Sequence, residues 1–134
     1  MPAPSTSFNA PKISDAEWTA MKVFWERGAS TVAEVVKELE GRLHWKPRTV
    51  QTLVRRLAEK GALTVQTMGR EFRYVPAVAQ EDCQRDEGRS FLKRVFDGRL
   101  TPFVAGLMER EDVSQDDLAS LRQMLEAAEK NLKN

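Results

Sequence analysis

Between Lys46 and Arg56 the chain places Lys46, Arg48, Thr49, Gln51, Thr52, Arg55 and Arg56, four cations interleaved with shorter hydrogen-bonding side chains. Ammonium and guanidinium groups neutralise phosphates, and Arg, Gln and Thr can reach base edges, so this mixture suits recognition of a nucleic acid. Covalent chemistry has little to build on. His44 is the only histidine and Cys83 the only cysteine, and neither a Gly-rich phosphate loop nor a Cys/His cluster of zinc-ligand spacing occurs. No enzymatic activity, metal or cofactor is expected.

These residues need an element that turns them outward together. Pro47 suits a first helical position and Gly61 the residue after a helix end, which predicts a helix between them. At about 100° per residue, Val50, Leu53, Val54 and Leu57 share one face of it. Arg48, Thr52, Arg55 and Glu59 then lie opposite, with Gln51 on one edge and Thr49 and Arg56 on the other. The start of this helix, with the positive end of its dipole and unpaired amides around Arg48 and Thr49, adds an expected anion site. Lys60, near its end, is expected to do little beyond complementing the dipole.

Two helices should precede it. Ser14 with Glu17, and Thr31 with Glu34, are capping boxes; Gly28 is the expected stop of the first helix, and the second should stop near Gly41. Trp18, Met21 and Trp25, broadened by Ala20, Val23 and Phe24, predict the core face of the first, and Ala29 and Ser30 leave room for one bridge of a strand. After the third helix, Leu63 to Met68 and Glu71 to Val75 read as a hairpin turning at Gly69 and Arg70 and closed by Pro76. Three helices followed by a hairpin is the order of a winged helix-turn-helix domain, here residues 13–77. In that fold the third helix enters the major groove, and Arg70 at the hairpin tip reaches a phosphate or the minor groove.

The charge map agrees. The net charge is +1, but residues 42–73 carry +6 (eight basic, two acidic) between a −2 segment before and a −3 segment after. The same basic face would also suit RNA or an acidic protein surface. Residues 1–12, rich in Pro, Ser, Thr and Ala, predict a flexible tail. No export signal or apolar span of membrane length is present, which together with the lone cysteine predicts a cytoplasmic chain without membrane insertion; Cys83 is expected at the surface.

From about residue 78 to 134 the pattern is helical throughout. Gln80 to Phe96 carries Phe91, Leu92, Val95 and Phe96; Leu100 to Met108 carries Phe103, Val104 and Leu107; Ser114 to Lys130 carries Leu118, Leu121 and Leu125 in a three-four alternation. These helices either fold back on the N-terminal core or pair with a second copy. The region is too long for a cap and too small for a domain alone, which favours a homodimer arm. The expected class is mainly α with a small β-hairpin wing.

The segments AEWTAMKVFWERG, HWKPRTVQTLVRRLAEKGAL and GREFRYVP, followed by FLKRVFDGRL and LMEREDVSQDDLASLRQML, resemble the penicillinase repressor family of BlaI, MecI and CopY type over about residues 13 to 128. Trp45, Pro47, Arg48, Thr49, Thr52, Leu53, Arg56 and Leu57 carry the most specific part of the likeness. The resemblance implies a homodimeric repressor on an inverted-repeat operator, its C-terminal helices intertwined. It also implies release by cutting of that arm, triggered through a membrane-embedded sensor metalloprotease. The family's Asn–Phe cleavage pair aligns with Gly106 and Leu107 here, and the cysteine cluster of the copper-responsive branch is missing.

Overall fold

The computed structural model describes residues 10–110 and 113–133, which form two compact units divided at Gly88/Arg89. The first opens with three helices: α1 (Asp15–Arg27), α2 (Val32–Leu43) and α3 (Pro47–Glu59). Both capping boxes close as the sequence requires, Ser14 with Glu17 and Thr31 with Glu34, each hydroxyl accepting an amide while each glutamate accepts the amide of its capping residue. α1 stops at Gly28, whose φ of 83° a side chain would resist. α2 ends at Leu43, near Gly41 as expected, with His44 in the left-handed conformation. Trp45 then packs against the core and Pro47 begins α3.

α3 buries Val50, Leu53, Val54 and Leu57, the four residues its spacing marked. Its end is a Schellman motif: the Gly61 amide donates to the Ala58 carbonyl at 3.1 Å and the Ala62 amide to Leu57 at 2.9 Å, with Gly61 at φ 85°. The chain then turns into β1 (Leu63–Met68) and β2 (Glu71–Pro76), paired antiparallel from Leu63 with Pro76 to Met68 with Glu71. Gly69 takes the positive φ that a two-residue hairpin needs. Ser30 exchanges both backbone bonds with Tyr74 at 2.8 and 3.0 Å, adding the single bridge expected there. This is a winged helix-turn-helix.

The core gathers Ala20, Met21, Val23 and Phe24 from α1 with Val35, Leu39 and the α3 face. Trp18 and Trp25 are only partly buried and pack on each other, centroids 5.5 Å apart, while the Trp25 indole N–H donates to the Val78 carbonyl at 3.0 Å. The inward face of α1 centres on Ala20, Met21, Val23 and Phe24, all within the expected face, with the two tryptophans at its partly exposed edge.

The unit also takes in the first turns of α4 (Gln80–Phe96). Cys83, expected at the surface, is buried in the core cluster; burial, with Asp82 and Asp86 nearby, raises its thiol pKa. Of the tail expected over residues 1–12, residues 1–9 lie outside the described residues. Ala10 and Lys12 are held, the Ala10 amide by the Asp86 carboxylate at 2.6 Å and the Lys12 carbonyl by the Lys60 ammonium at 2.8 Å.

That ammonium corrects a second expectation. Lys60 reaches across to Glu17, 2.5 Å away and almost fully buried. Burial alone would push the Glu17 carboxyl up; Lys60 and the Ser14 amide and hydroxyl outweigh it and hold it below the ordinary carboxylate value. The helical wheel gave Lys60 no partner, since the partner comes from another helix.

The second unit contains the rest of α4, α5 (Leu100–Glu109) and α6 (Gln115–Lys133). Phe91, Phe96 and Phe103 form a triangle with centroids 5.3 to 5.9 Å apart. Neither α5 nor α6 has a buried residue among those described; Leu118, Leu121, Met124, Leu125 and Leu132 are all exposed. Among the described residues no helix is long and apolar enough to cross a membrane.

Lys60→Ala should destabilise the first unit by about 1 to 3 kcal/mol at neutral pH, the cost of leaving a buried carboxylate short of a partner, read by urea unfolding. The folded-state pKa of Glu17 is lowered, so its contribution is present above the unfolded value and is lost as pH falls through the folded one. The variant should therefore lose less stability than the parent on acidification through that range.

Candidate nucleic-acid interface

With its apolar face fixed in the core, α3 turns Arg48, Thr49, Gln51, Arg55 and Arg56 to the exterior, and Lys46 precedes them at the N-cap, also exposed. Thr52 is half-buried at the middle of the row. Lys46, Arg48, Thr49, Thr52 and Arg56 line one shallow depression floored by Leu53. Gln51 and Arg55 lie outside that lining, and Arg70 stands on the wing tip, exposed. Of the eight residues marked by the sequence, the structure thus brings five together in one hollow.

Every arginine of the unit outside this face and the wing tip holds a carboxylate, as does Lys60, whereas Lys12, Lys22 and Lys37 hold none among the described residues. Arg27, Arg42, Arg73 and Lys60 each hold a carboxylate: Arg27 those of Glu34 and Glu38, Arg42 those of Glu26 and Glu38, Arg73 those of Glu34 and Glu71, Lys60 that of Glu17. Lys46, Arg48, Arg55, Arg56 and Arg70 have no ion pair among the described residues. Their field is spent on nothing within the unit, which is the condition for attracting an external anion.

The beginning of α3 is likewise open. α1 and α2 start with a side-chain cap and acidic residues in the first turn, whereas α3 has neither. Pro47 has no amide hydrogen, and the Thr49 amide, expected free, donates to the Lys46 carbonyl at 3.0 Å. Arg48 keeps the one first-turn amide without a backbone acceptor among the described residues. The helix end offers a single amide with the dipole behind it, less than the sequence reading supposed.

Sequence reasoning missed one carboxylate. Glu34 was read as a capping residue only, yet it also receives Arg73 from the wing, 3.2 Å away, and Arg27 from the end of α1 at 3.7 Å. The Thr31 amide bond, reinforced by Arg73 and Arg27 against a smaller opposing effect of burial, holds its carboxyl below the ordinary value. The alternation of β2, with Arg73 opposite in facing to Phe72 and Tyr74, was the available signal; which carboxylate it met depended on the fold.

The penicillinase repressor family model matches residues 13–127. The chain belongs to the penicillinase repressor family. It is 39% identical over 116 residues to the penicillinase repressor of Bacillus licheniformis, an alignment covering 87% of this chain and 91% of that one. It is 30% identical over 114 residues to the methicillin resistance regulatory protein MecI of Staphylococcus aureus strain N315, covering 85% and 93%. Among solved structures, the monomeric form of Bacillus licheniformis BlaI in complex with the blaP half-operator superimposes with a TM-score of 0.50 at 43% identity, over 55% of this chain and 90% of that one. As a member of this family the chain is a DNA-binding transcriptional repressor and not an enzyme.

If the unpaired cations are not part of the fold's own electrostatics, Arg55→Ala and Arg56→Ala should each change unfolding stability by less than about 0.5 kcal/mol. Urea titrations of both variants check this against the larger effect expected for Lys60→Ala.

Proposed function

We propose that this repressor reads its operator with the outward face of α3 and grips the flanking backbone with Lys46, Arg56 and Arg70. The observation that carries the reading is the row of unpaired cations and hydrogen-bonding side chains fixed outward by the burial of Val50, Leu53, Val54 and Leu57. Arg48, Thr49, Gln51, Thr52 and Arg55 belong to the half of the helix that a major groove about 12 Å wide admits. Domain boundaries follow: residues 13–77 carry the DNA-binding work, and the helices from residue 78 onward carry assembly.

Assembly is a homodimer on an inverted repeat. Support comes from the apolar stripe of α6, where Leu118, Leu121 and Leu125 stand exposed in a single chain, and from Val95 and Leu107, which are exposed likewise. Phe91, Leu92, Phe96, Phe103 and Val104, half-buried, complete the apolar surface of the arm. The relative captured in monomeric form on a half-operator fits one winged helix per half-site. Two half-sites held by one dimer gain from effective concentration, so loss of the arm lowers occupancy with every DNA contact intact. Release by a membrane-embedded sensor metalloprotease would act through that loss. Gly106 and Leu107, the aligned pair, are exposed within α5, and a protease must unwind that turn to reach the bond.

Thr52→Ala or Arg55→Ala should weaken operator binding relative to random duplex by roughly 1 to 3 kcal/mol where the side chain reads a base. Equal loss on both duplexes in parallel anisotropy titrations would move the residue to the phosphate class. Leu121→Asp combined with Leu125→Asp should give folded monomers that hold a single half-site poorly. Sedimentation of the parent chain as a monomer at about tens of micromolar would contradict the dimer.

A further inference from the structure

The Arg73 guanidinium lies at the meeting point of three parts of the fold. One of its terminal nitrogens donates to the Ala29 carbonyl at 3.2 Å and to Glu34 Oε1 at 3.2 Å, and its Nε lies 3.4 Å from Glu71 Oε1. Glu34 Oε1 also accepts the Thr31 amide at 2.9 Å, and its Oε2 is 3.7 Å from Arg27. A single carboxylate on α2 therefore ties the α2 N-terminus, the end of α1 and the returning strand of the wing. Arg70 is three residues from Arg73 along the same hairpin, beyond the last ladder pair, Met68 with Glu71. A two-stranded hairpin is marginal without support, so the outer half of the wing takes its direction from what pins it.

We infer that Glu34 and Arg73 are positioning residues for DNA binding: their ion pair sets the angle of the wing against α2 and so delivers Arg70 to the phosphate backbone. The inference rests on the reading that Arg70 touches DNA. It makes a prediction opposite in sign to simple charge counting. Removing the carboxylate from a DNA-facing domain would, by charge alone, tighten binding; releasing the wing loosens it. Glu34→Gln suits the test because glutamine at this position retains the capping box and leaves the Arg73 charge in place.

The experiment is a set of anisotropy titrations of the full chain on an operator duplex at several salt concentrations, for the parent, Glu34→Gln, Arg73→Gln, Arg73→Lys, Arg70→Ala and Arg70→Ala with Glu34→Gln. Glu34→Gln and Arg73→Gln should each bind on the order of fivefold more weakly, and the log–log salt slope should fall by about 0.9, one phosphate contact. Arg73→Lys should recover part of the loss, and Glu34→Gln should add nothing once Arg70 is gone. If Arg70→Ala is weakened while Glu34→Gln binds as tightly as the parent with the parental slope, or adds its full loss on top of Arg70→Ala, the positioning role is overturned and the wing contact stands. If Arg70→Ala itself matches the parent in affinity and slope, the wing contact fails and the positioning role fails with it.

Discussion

The outward face of α3 is aimed by the burial of four side chains on its other side. Val50, Leu53, Val54 and Leu57 fix the rotation of α3 about its axis, because turning it away would return their surface to water at roughly 1.5 to 3 kcal/mol each. No surface interaction of the helix competes with that. Arg48, Thr49, Gln51 and Arg55 are thus presented by subtraction: they occupy the directions that the core does not claim.

Charge is arranged around this constraint. The glutamates of α1 and α2 are placed to meet the cations nearest the core and the wing base, Glu17 with Lys60 and Glu34 with Arg73 and Arg27. α3 has no acid in its first turn, and its outward cations meet none among the described residues. Most of the pairs are partly solvated and contribute little stability individually. Their consequence is spatial: the arginines near the core and the wing base are cancelled, and those along α3 and at the wing tip are not. A net charge of +1 conceals a strongly polarised surface.

Much of this was legible in the sequence because the signals were local. Capping boxes, the Pro47 start, the Gly61 end and the Gly69 turn each depend on residues within a few positions of one another, and each appears where expected. What escaped was tertiary. Cys83 went from surface to core because the start of α4 belongs to the first unit. Lys60 reads as a bland cation, and Arg73 offers no partner in the sequence, because their partners lie 43 and 39 residues away. The outward face of α3 was legible apart from the half-buried Thr52 and the bonded Thr49 amide, whereas the supports that hold the wing beside it were not.

The central claim is that uncompensated cations on α3 and the wing bind duplex DNA and that the α3 face reads its sequence. Titrating the unmodified chain with a labelled duplex from upstream of its own gene and with a scrambled duplex, across about 50 to 200 mM salt, tests it most directly. The account requires a slope corresponding to several released counterions on both duplexes, together with tighter binding to the upstream one at every salt concentration. Binding without salt dependence, or equal affinity for the two duplexes throughout, would contradict it.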